Sequence, residues 1–277
     1  MEAVLSEKMQ NLHALFRSLG RVAVAYSGGV DSAFLLKAAH DALGSENVLA
    51  LTAVSASMPA YVRAAAEELA RQIGAPLMWI ESHEDQDERY LANPANRCYF
   101  CKTNVYDELI PAAEQAGFSY LADGTNADDA DDYRPGRRAA REHGVRSPLQ
   151  ELGFTKAEIR QASHELGLAN WDAPAAPCLS SRIPYGTRIT PEILDQIARA
   201  ELALRTRGFR EVRVRHHDKV ARIEVPPADF DRLLDQRTEI VAALREAGYQ
   251  YISLDLTGLR SGSLNEVLLV HGRGQAA

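Results

Sequence analysis

The sequence predicts an α/β protein, a doubly wound parallel sheet followed by a smaller C-terminal α+β domain. Three observations predict it. Short apolar runs alternate with amphipathic helical stretches as far as Ala122, the pattern of strands joined by crossover helices. A glycine pair follows the apolar run 22–26 after a single serine. After residue 190 strand-like runs instead follow one another closely, which marks a second unit.

Leu5, Met9, Leu12, Leu15, Phe16 and Leu19 recur at helical spacing and open the chain with an amphipathic helix. A strand over 22–26 and a helix over 32–42 come next, then a strand over 48–54 and a helix over 60–73. Gly74 and Pro76 stop that helix. A strand at 77–80, a loop region over 81–97, a helix over 101–116 ending at Gly117 and a short strand at 120–122 complete the alternation. Thr155 and Glu158 have the spacing of a capping box, opening a helix that reaches about Leu168. Pro174 and Pro177 argue against helix beyond it. From Thr190 the order is helix 191–207, strands 210–216 and 219–225, helix 227–247, strand 250–256 and a last strand near 266–270. The expected domains are 1–187 and 188–277. No internal repeat or low-complexity tract interrupts the chain.

At 277 residues the chain can bury a full core, and 46% apolar with 25% charged residues is ordinary globular composition. No apolar run has the length of a membrane span, and Met1–Gln10 is polar, so a cytoplasmic protein without membrane contact is expected. A net charge of −7 disfavours a nucleic acid partner. Three cysteines, an odd number, read as reduced thiols rather than a disulfide framework.

The chemistry concentrates at Ser27-Gly28-Gly29-Val30-Asp31-Ser32. A strand, tight loop and helix start aim backbone N–H groups and a helix dipole at one spot, where an anion can sit. Gly28 and Gly29 permit close backbone approach, and Ser27 and Ser32 supply hydroxyls. Asp31 would repel bare phosphate, so it is read as holding Mg2+ shared with the phosphates. The Walker pattern is absent, since no lysine follows these glycines. In a parallel sheet, ligands collect at the C-terminal strand ends. That groups the loop with Thr52–Ser57, including Ala53, and with Asp123-Gly124-Thr125-Asn126. The bland alternative is an ordinary strand-to-helix turn.

SGGxDS is the signature of the PP-loop ATP pyrophosphatases. Asn96-Arg97-Cys98-Tyr99-Phe100-Cys101-Lys102, Asp123–Arg137 and Pro177-Cys178-Leu179-Ser180-Ser181-Arg182-Ile183-Pro184-Tyr185-Gly186 follow it in order. Together these segments resemble the LarE family of ATP-dependent sulfur transferases, motif by motif over the first 190 residues and more loosely beyond. The resemblance implies a PP-loop, adenine nucleotide hydrolase-like fold. ATP would adenylate a carboxylate of a pyridinium biscarboxylic acid mononucleotide with loss of pyrophosphate. Sulfur would then displace AMP, giving a thiocarboxylate in nickel-pincer nucleotide biosynthesis. It also implies a homo-oligomer, a trimer or a hexamer built from trimers.

Cys178 occupies the family's sulfur-bearing position, where a sacrificial reaction converts the cysteine to dehydroalanine. Cys98 and Cys101, with Cys178, can instead hold a [4Fe–4S] cluster whose fourth iron binds sulfide. A zinc or redox-dithiol role is the third option. Arg213 and Arg215 alternate along a strand and form an anion fork that resembles the family's substrate-phosphate site, unless Glu224 on the partner strand takes an arginine. Lys156 resembles a lysine that contacts ATP phosphates, although a solvated lysine in a first helical turn reads equally well. Arg182, four residues after Cys178, is expected to stabilise thiolate or phosphate, or else to pair with a surface acid. Asp123 and Thr125 sit at a strand end facing the nucleotide. The run Asp128, Asp129, Asp131 and Asp132 reads as solvated loop before magnesium site. His216 and His217 point to opposite strand faces. The competing classes are a tRNA thiolase, an amide-forming NAD- or GMP-synthetase-like ligase and a non-enzymatic nucleotide-binding module. The thiolase would add a basic or zinc-ribbon RNA-binding segment, which the acidic sequence lacks, the ligase needs no cysteine trio, and the module leaves the cysteines and the Pro177–Arg182 segment unexplained.

Overall fold

Val22 to Ala25 carry apolar side chains on both faces, as a strand covered by helices on both sides requires. The computed structural model describes residues 3–131, 135–174, 177–260 and 262–265. The elements run α1 (Ala3–Leu19), β1 (Val22–Ala25), α2 (Val30–Leu43), β2 (Val48–Val54), α3 (Ala60–Ile73), β3 (Leu77–Glu81), α4 (Glu88–Leu91), α5 (Arg97–Gln115) and β4 (Leu121–Asp123). After them come α6 (Gly136–Glu142), α7 (Pro148–Glu151), α8 (Lys156–Glu165), α9 (Pro191–Arg205), β5 (Arg213–His217), β6 (Val220–Glu224), α10 (Phe230–Asp235), α11 (Arg237–Glu246) and β7 (Tyr251–Leu254).

The chain forms two units, one of residues 1–87 and 96–176 and one of residues 88–95 and 177–277. The first holds a parallel sheet in the order β3-β2-β1-β4, with Val22 opposite Val48 and Ala23 opposite Leu121. Alternate strand residues feed different cores, as the period of two dictates. Val22, Val24, Val48 and Ala50 pack with Phe16, Phe34, Leu69 and Phe154 from the α1, α2, α3 and α8 side. Ala23, Leu49, Leu51 and Leu121 pack with Tyr106, Leu109 and Ala139 of α5 and α6. The sheet is therefore doubly wound as expected. In the second unit β6 pairs antiparallel with β5 and parallel with β7. Phe209, Val214, Ile223, Leu244 and Tyr249 fill its core.

The division falls at 176/177, ahead of the expected 187/188, and the second unit also takes in 88–95. Hydrogen bonds account for this. Asn93 Nδ2 donates to the Pro184 and Thr187 carbonyls at 2.7 and 3.0 Å. Gly186 N–H donates to Asn93, and Ile189 N–H to Leu91. Asn93 holds φ +53°, a left-handed conformation that asparagine tolerates. The expected 81–97 loop thus contains α4. Helix α5 begins at Arg97 rather than at residue 101, so Cys98 joins Cys101 in its opening turns.

The single helix expected over 227–247 is a short turn at Pro227–Asp229 followed by α10 and α11, broken at Gln236 (φ −95°, ψ 14°). The break lets Leu233 on one piece and Ile240 and Leu244 on the other all reach the core. The strand expected near 266–270 lies outside the described residues. Among the described residues no helix is long and apolar enough to cross a membrane.

Candidate functional site

Strand β1 delivers Tyr26 to the sheet end, where Tyr26 Oη donates to the Ala66 carbonyl at 2.9 Å and Thr52 Oγ1 donates to the Tyr26 carbonyl at 2.6 Å. The chain then turns through Gly28 at φ +75°, and a Cβ there would lie 2.7 Å from the Ala66 Cβ. Only glycine fits, on both conformational and steric grounds. Helix α2 begins behind Gly29 without any side-chain cap, leaving its dipole for a ligand. Ser27 and Ser32 close the loop on itself: their hydroxyls lie 3.1 Å apart, and Ser27 N–H donates to Ser32 Oγ at 3.2 Å. Asn170 Nδ2 donates to the Gly28 carbonyl at 3.0 Å.

Beside the loop, Gly124 lets the end of β4 approach α2, since a Cβ would sit 2.8 Å from the Ser32 nitrogen. Asn126 Nδ2 donates to Asp31 Oδ2 at 3.1 Å. Asp123 is buried, and its carboxylate accepts from Tyr106 Oη (3.1 Å), Thr125 N–H (3.2 Å), Thr125 Oγ1 (3.0 Å) and Ser147 Oγ (2.7 Å). Asp123 and Thr125 therefore clamp the strand end to α5 and α7. Burial first, with the Asp123 carboxylate beside it, pushes the Tyr106 phenol up to about 12 despite the opposing pull of Lys102. Ala53 packs its side chain against the α5-side core. Lys156 is exposed on α8, and its N–H donates to Asp128 Oδ2 at 2.8 Å. Asp129 is buried and accepts from Asn126 N–H at 3.2 Å, so part of the acidic run is structural rather than solvated. Asp132 lies outside the described residues.

Sequence reasoning missed one feature of this cleft. Glu84 is buried and takes hydrogen bonds from Ser55 Oγ (2.6 Å), Ser57 Oγ (3.2 Å) and Ser82 Oγ. It ties the loop after β2 to the loop after β3. Serines scattered over two loops give no periodic signal, so sequence offered only their place at strand ends.

Cys98 is exposed and Cys101 half-buried, and neither is in a disulfide among the described residues. Lys102 follows them, its Nζ 5.4 Å from the Tyr106 ring centroid. Tyr106 above all, then Asp123, Cys101 and Cys98, raise its pKa against the cost of desolvation. Two sulfurs a helical turn apart suit an iron–sulfur or zinc donor set. Within either unit, among the described residues, no group of three His, Cys, Asp or Glu side chains gathers to hold a metal ion.

Cys178 belongs to the second unit, half-buried, just ahead of a 3-10 turn at Leu179–Arg182. Arg182 is buried and its guanidinium is committed. It makes a bidentate pair with Glu201, and Nη1 donates to the Pro177 carbonyl (2.8 Å), the Cys178 carbonyl (3.2 Å) and Ser181 Oγ (2.8 Å). The acid is a buried one on α9, not a surface one. Arg215 is likewise buried against Glu224, with Nε 2.9 Å and Nη2 2.8 Å from its oxygens, and Nη1 donates to the Ser181 carbonyl at 2.6 Å. Glu224 thus takes one arm of the expected fork. Arg213 donates to the Arg260 carbonyl at 3.0 Å and forms no ion pair among the described residues. Burial first, then the Arg215 and Arg182 cations, press its pKa down, so an anion bound there would relieve real repulsion. His216 is buried and contacts Tyr249, away from His217 on the opposite face.

A doubly wound parallel sheet with an uncapped glycine loop at the end of one of its inner strands defines an α/β protein of the PP-loop type. No protein-family model matches the chain. A protein of Lactiplantibacillus plantarum named pyridinium-3,5-bisthiocarboxylic acid mononucleotide synthase is 39% identical over 266 residues, 96% of each chain. The chain belongs to the family of that synthase, the LarE family. An uncharacterized protein of Synechocystis is 46% identical over 96% of this chain and 99% of its own. One from Methanocaldococcus jannaschii is 29% identical over 63% of this chain.

Proposed function

We propose that this protein is an ATP-dependent sulfur transferase that turns a carboxylate of a pyridinium biscarboxylic acid mononucleotide into a thiocarboxylate, a step in making a nickel-pincer nucleotide. Near full-length similarity to a named synthase of the product class is the observation that carries this reading. The Gly28–Ser32 cradle supports ATP as the co-substrate, because the space a Cβ would need there is closed and the helix end is uncapped.

Ser27, Gly28, Gly29 and Ser32 would hold the β- and γ-phosphates, with Lys156 reaching toward them. Asp31 would hold Mg2+, which neutralises charge developing on the departing pyrophosphate. The substrate carboxylate attacks the α-phosphorus, the bond to the β-phosphate breaks, and pyrophosphate leaves an acyl-adenylate. Adenylation matters because a carboxylate resists nucleophiles, whereas AMP is a good leaving group. Cys178 thiolate then attacks the acyl carbon, forming a thioester to the protein as the bond to AMP breaks and AMP leaves. Loss of the Cys178 Cα proton breaks its Cβ–S bond and leaves thiocarboxylate and dehydroalanine. Arg182 would set the Cys178 backbone for attack, and Arg213, with Arg215 behind it, would bind the substrate's phosphate. A second reading has Cys98, Cys101 and Cys178 hold a [4Fe–4S] cluster, whose open fourth iron would carry an exogenous sulfide and spare the cysteine. The helical Cys-x-x-Cys pair with its neighbouring lysine favours it. The protein is proposed to work in the cytoplasm as a homo-oligomer, without nucleic acid.

Incubation with ATP, magnesium and the biscarboxylate nucleotide tests this. Substrate-dependent pyrophosphate release and a thiolated product are expected. A chain lighter by one hydrogen sulfide indicates sacrifice, and an intact, iron-containing chain with the same product indicates relay. Absence of substrate-dependent pyrophosphate would sink the proposal.

A further inference from the structure

Asn126 is completely buried, and one end of its amide is satisfied while the other is not. Nδ2 donates to Asp31 Oδ2 at 3.1 Å. Oδ1, equally out of reach of solvent, has no hydrogen-bond partner. Buried amide oxygens are nearly always paired, so an orphan beside a carboxylate calls for a physical reason. The backbone around it is fixed, with Asn126 N–H on Asp129 Oδ2 at 3.2 Å and Arg137 Nη1 on the Asp129 carbonyl at 2.8 Å. The loop is therefore held while the amide keeps one internal freedom, rotation about its last torsion.

An amide presents a donor at one end and an acceptor at the other. With nothing between them, the Asp31 carboxylate selects the donor end, because two acceptors face to face repel. A divalent cation on Asp31 reverses the preference. The N–H2 end is then repelled, and the carbonyl oxygen becomes a neutral hard ligand of the kind Mg2+ accepts alongside one carboxylate, phosphate oxygens and water. We infer that Asn126 is a second protein ligand for the cation held by Asp31, turning its amide end for end when metal and nucleotide arrive. This rests on the metal-holding reading of Asp31.

The test uses Mn2+ as probe and an ATP analogue with a methylene bridge between the α- and β-phosphates, so that no cleavage intervenes. Free Mn2+ is followed by electron paramagnetic resonance on the full chain. Nucleotide-dependent Mn2+ binding is expected in the wild type, weakened about tenfold or more in Asn126→Ala and tightened in Asn126→Asp, since ligand charge sets cation affinity. A second readout avoids mutation. The side-chain NH2 resonances of Asn126 should shift when Mg2+ and the analogue saturate the wild type, as they leave the carboxylate. Unchanged Mn2+ affinity in Asn126→Ala, or an unmoved NH2 signal at saturation, overturns the inference alone. A wild type that binds the analogue but no Mn2+ overturns the Asp31 reading beneath it as well.

Discussion

Arg182 and Glu201 form a buried bidentate pair, with Nε 2.7 Å from Oε1 and Nη2 3.0 Å from Oε2, both side chains almost wholly out of solvent. Glu201 Oε1 also accepts the Val214 N–H at 3.0 Å, so the pair joins the Cys178 turn to α9 and β5. Removing one partner strands a buried charge, which typically costs about 3–5 kcal/mol. Arg182→Met should lower the urea midpoint of unfolding accordingly. A variant as stable as the wild type would show that the guanidinium is held for chemistry rather than for structure.

Gly28 and Gly29 differ although they are neighbours. Gly28→Ala meets a left-handed φ and the Ala66 Cβ, whereas an added Cβ at Gly29 meets only Ser27 Oγ at 3.4 Å. Left-handed strain alone costs about 1–2 kcal/mol. Calorimetric titration of ATP should therefore show weak or absent binding in Gly28→Ala, with a lowered melting temperature, and near-normal stability in Gly29→Ala. Equal behaviour of the two variants contradicts this account of the loop.

Cys178→Ala should abolish thiocarboxylate formation while pyrophosphate release continues, because adenylation needs no thiol. Separate assays of the two products decide it. Loss of both would mean that Cys178 is needed before sulfur transfer.

Glu84→Leu leaves the hydroxyls of Ser55, Ser57 and Ser82 without their common acceptor. Each buried group left unpaired costs about 1–3 kcal/mol. The loop after β2 should loosen, raising the KM for ATP more than it lowers kcat. Hydrogen exchange of the 55–58 amides would report the loosening directly.

Glu158 supplies an acid-sensitive contact. Desolvation works to raise its pKa, but hydrogen bonds from Lys8 and Thr155 outweigh that and hold it below the ordinary carboxylate value. A depressed folded pKa adds stability above the unfolded value, lost as pH falls through the folded one. Unfolding free energy measured from pH 6 downward should show a shallower acid limb in Glu158→Gln than in the wild type. Parallel limbs would remove the Lys8–Glu158 pair from the account.

Features set by neighbouring residues were legible in the sequence. The turn at Ser27–Ser32, the capping box of Thr155 and Glu158, and the stop at Gly74 each depend on residues a few positions apart. The pairing of Arg215 with Glu224 was partly legible, because strand register puts them close. The fate of Arg182 was not, since its partner arrives from α9. Yet Glu201 falls on the stripe of Leu194, Ile197, Ala200 and Leu204, and an acid among buried helix positions is itself a signal. The Glu84 hub and the capture of 88–95 were invisible, because each depends on chain segments brought together only by the sheet or by the second core.

The polypeptide passes into the second unit at residue 88, returns at 96 and departs again at 177. A single proteolytic nick near 177 would consequently leave the halves joined through the earlier excursion. A recombinant fragment ending at 176 would carry Asn93 and Leu91 without the carbonyl and amide they serve. Such a fragment should be prone to aggregation, and the first unit is best studied with the C-terminal portion attached.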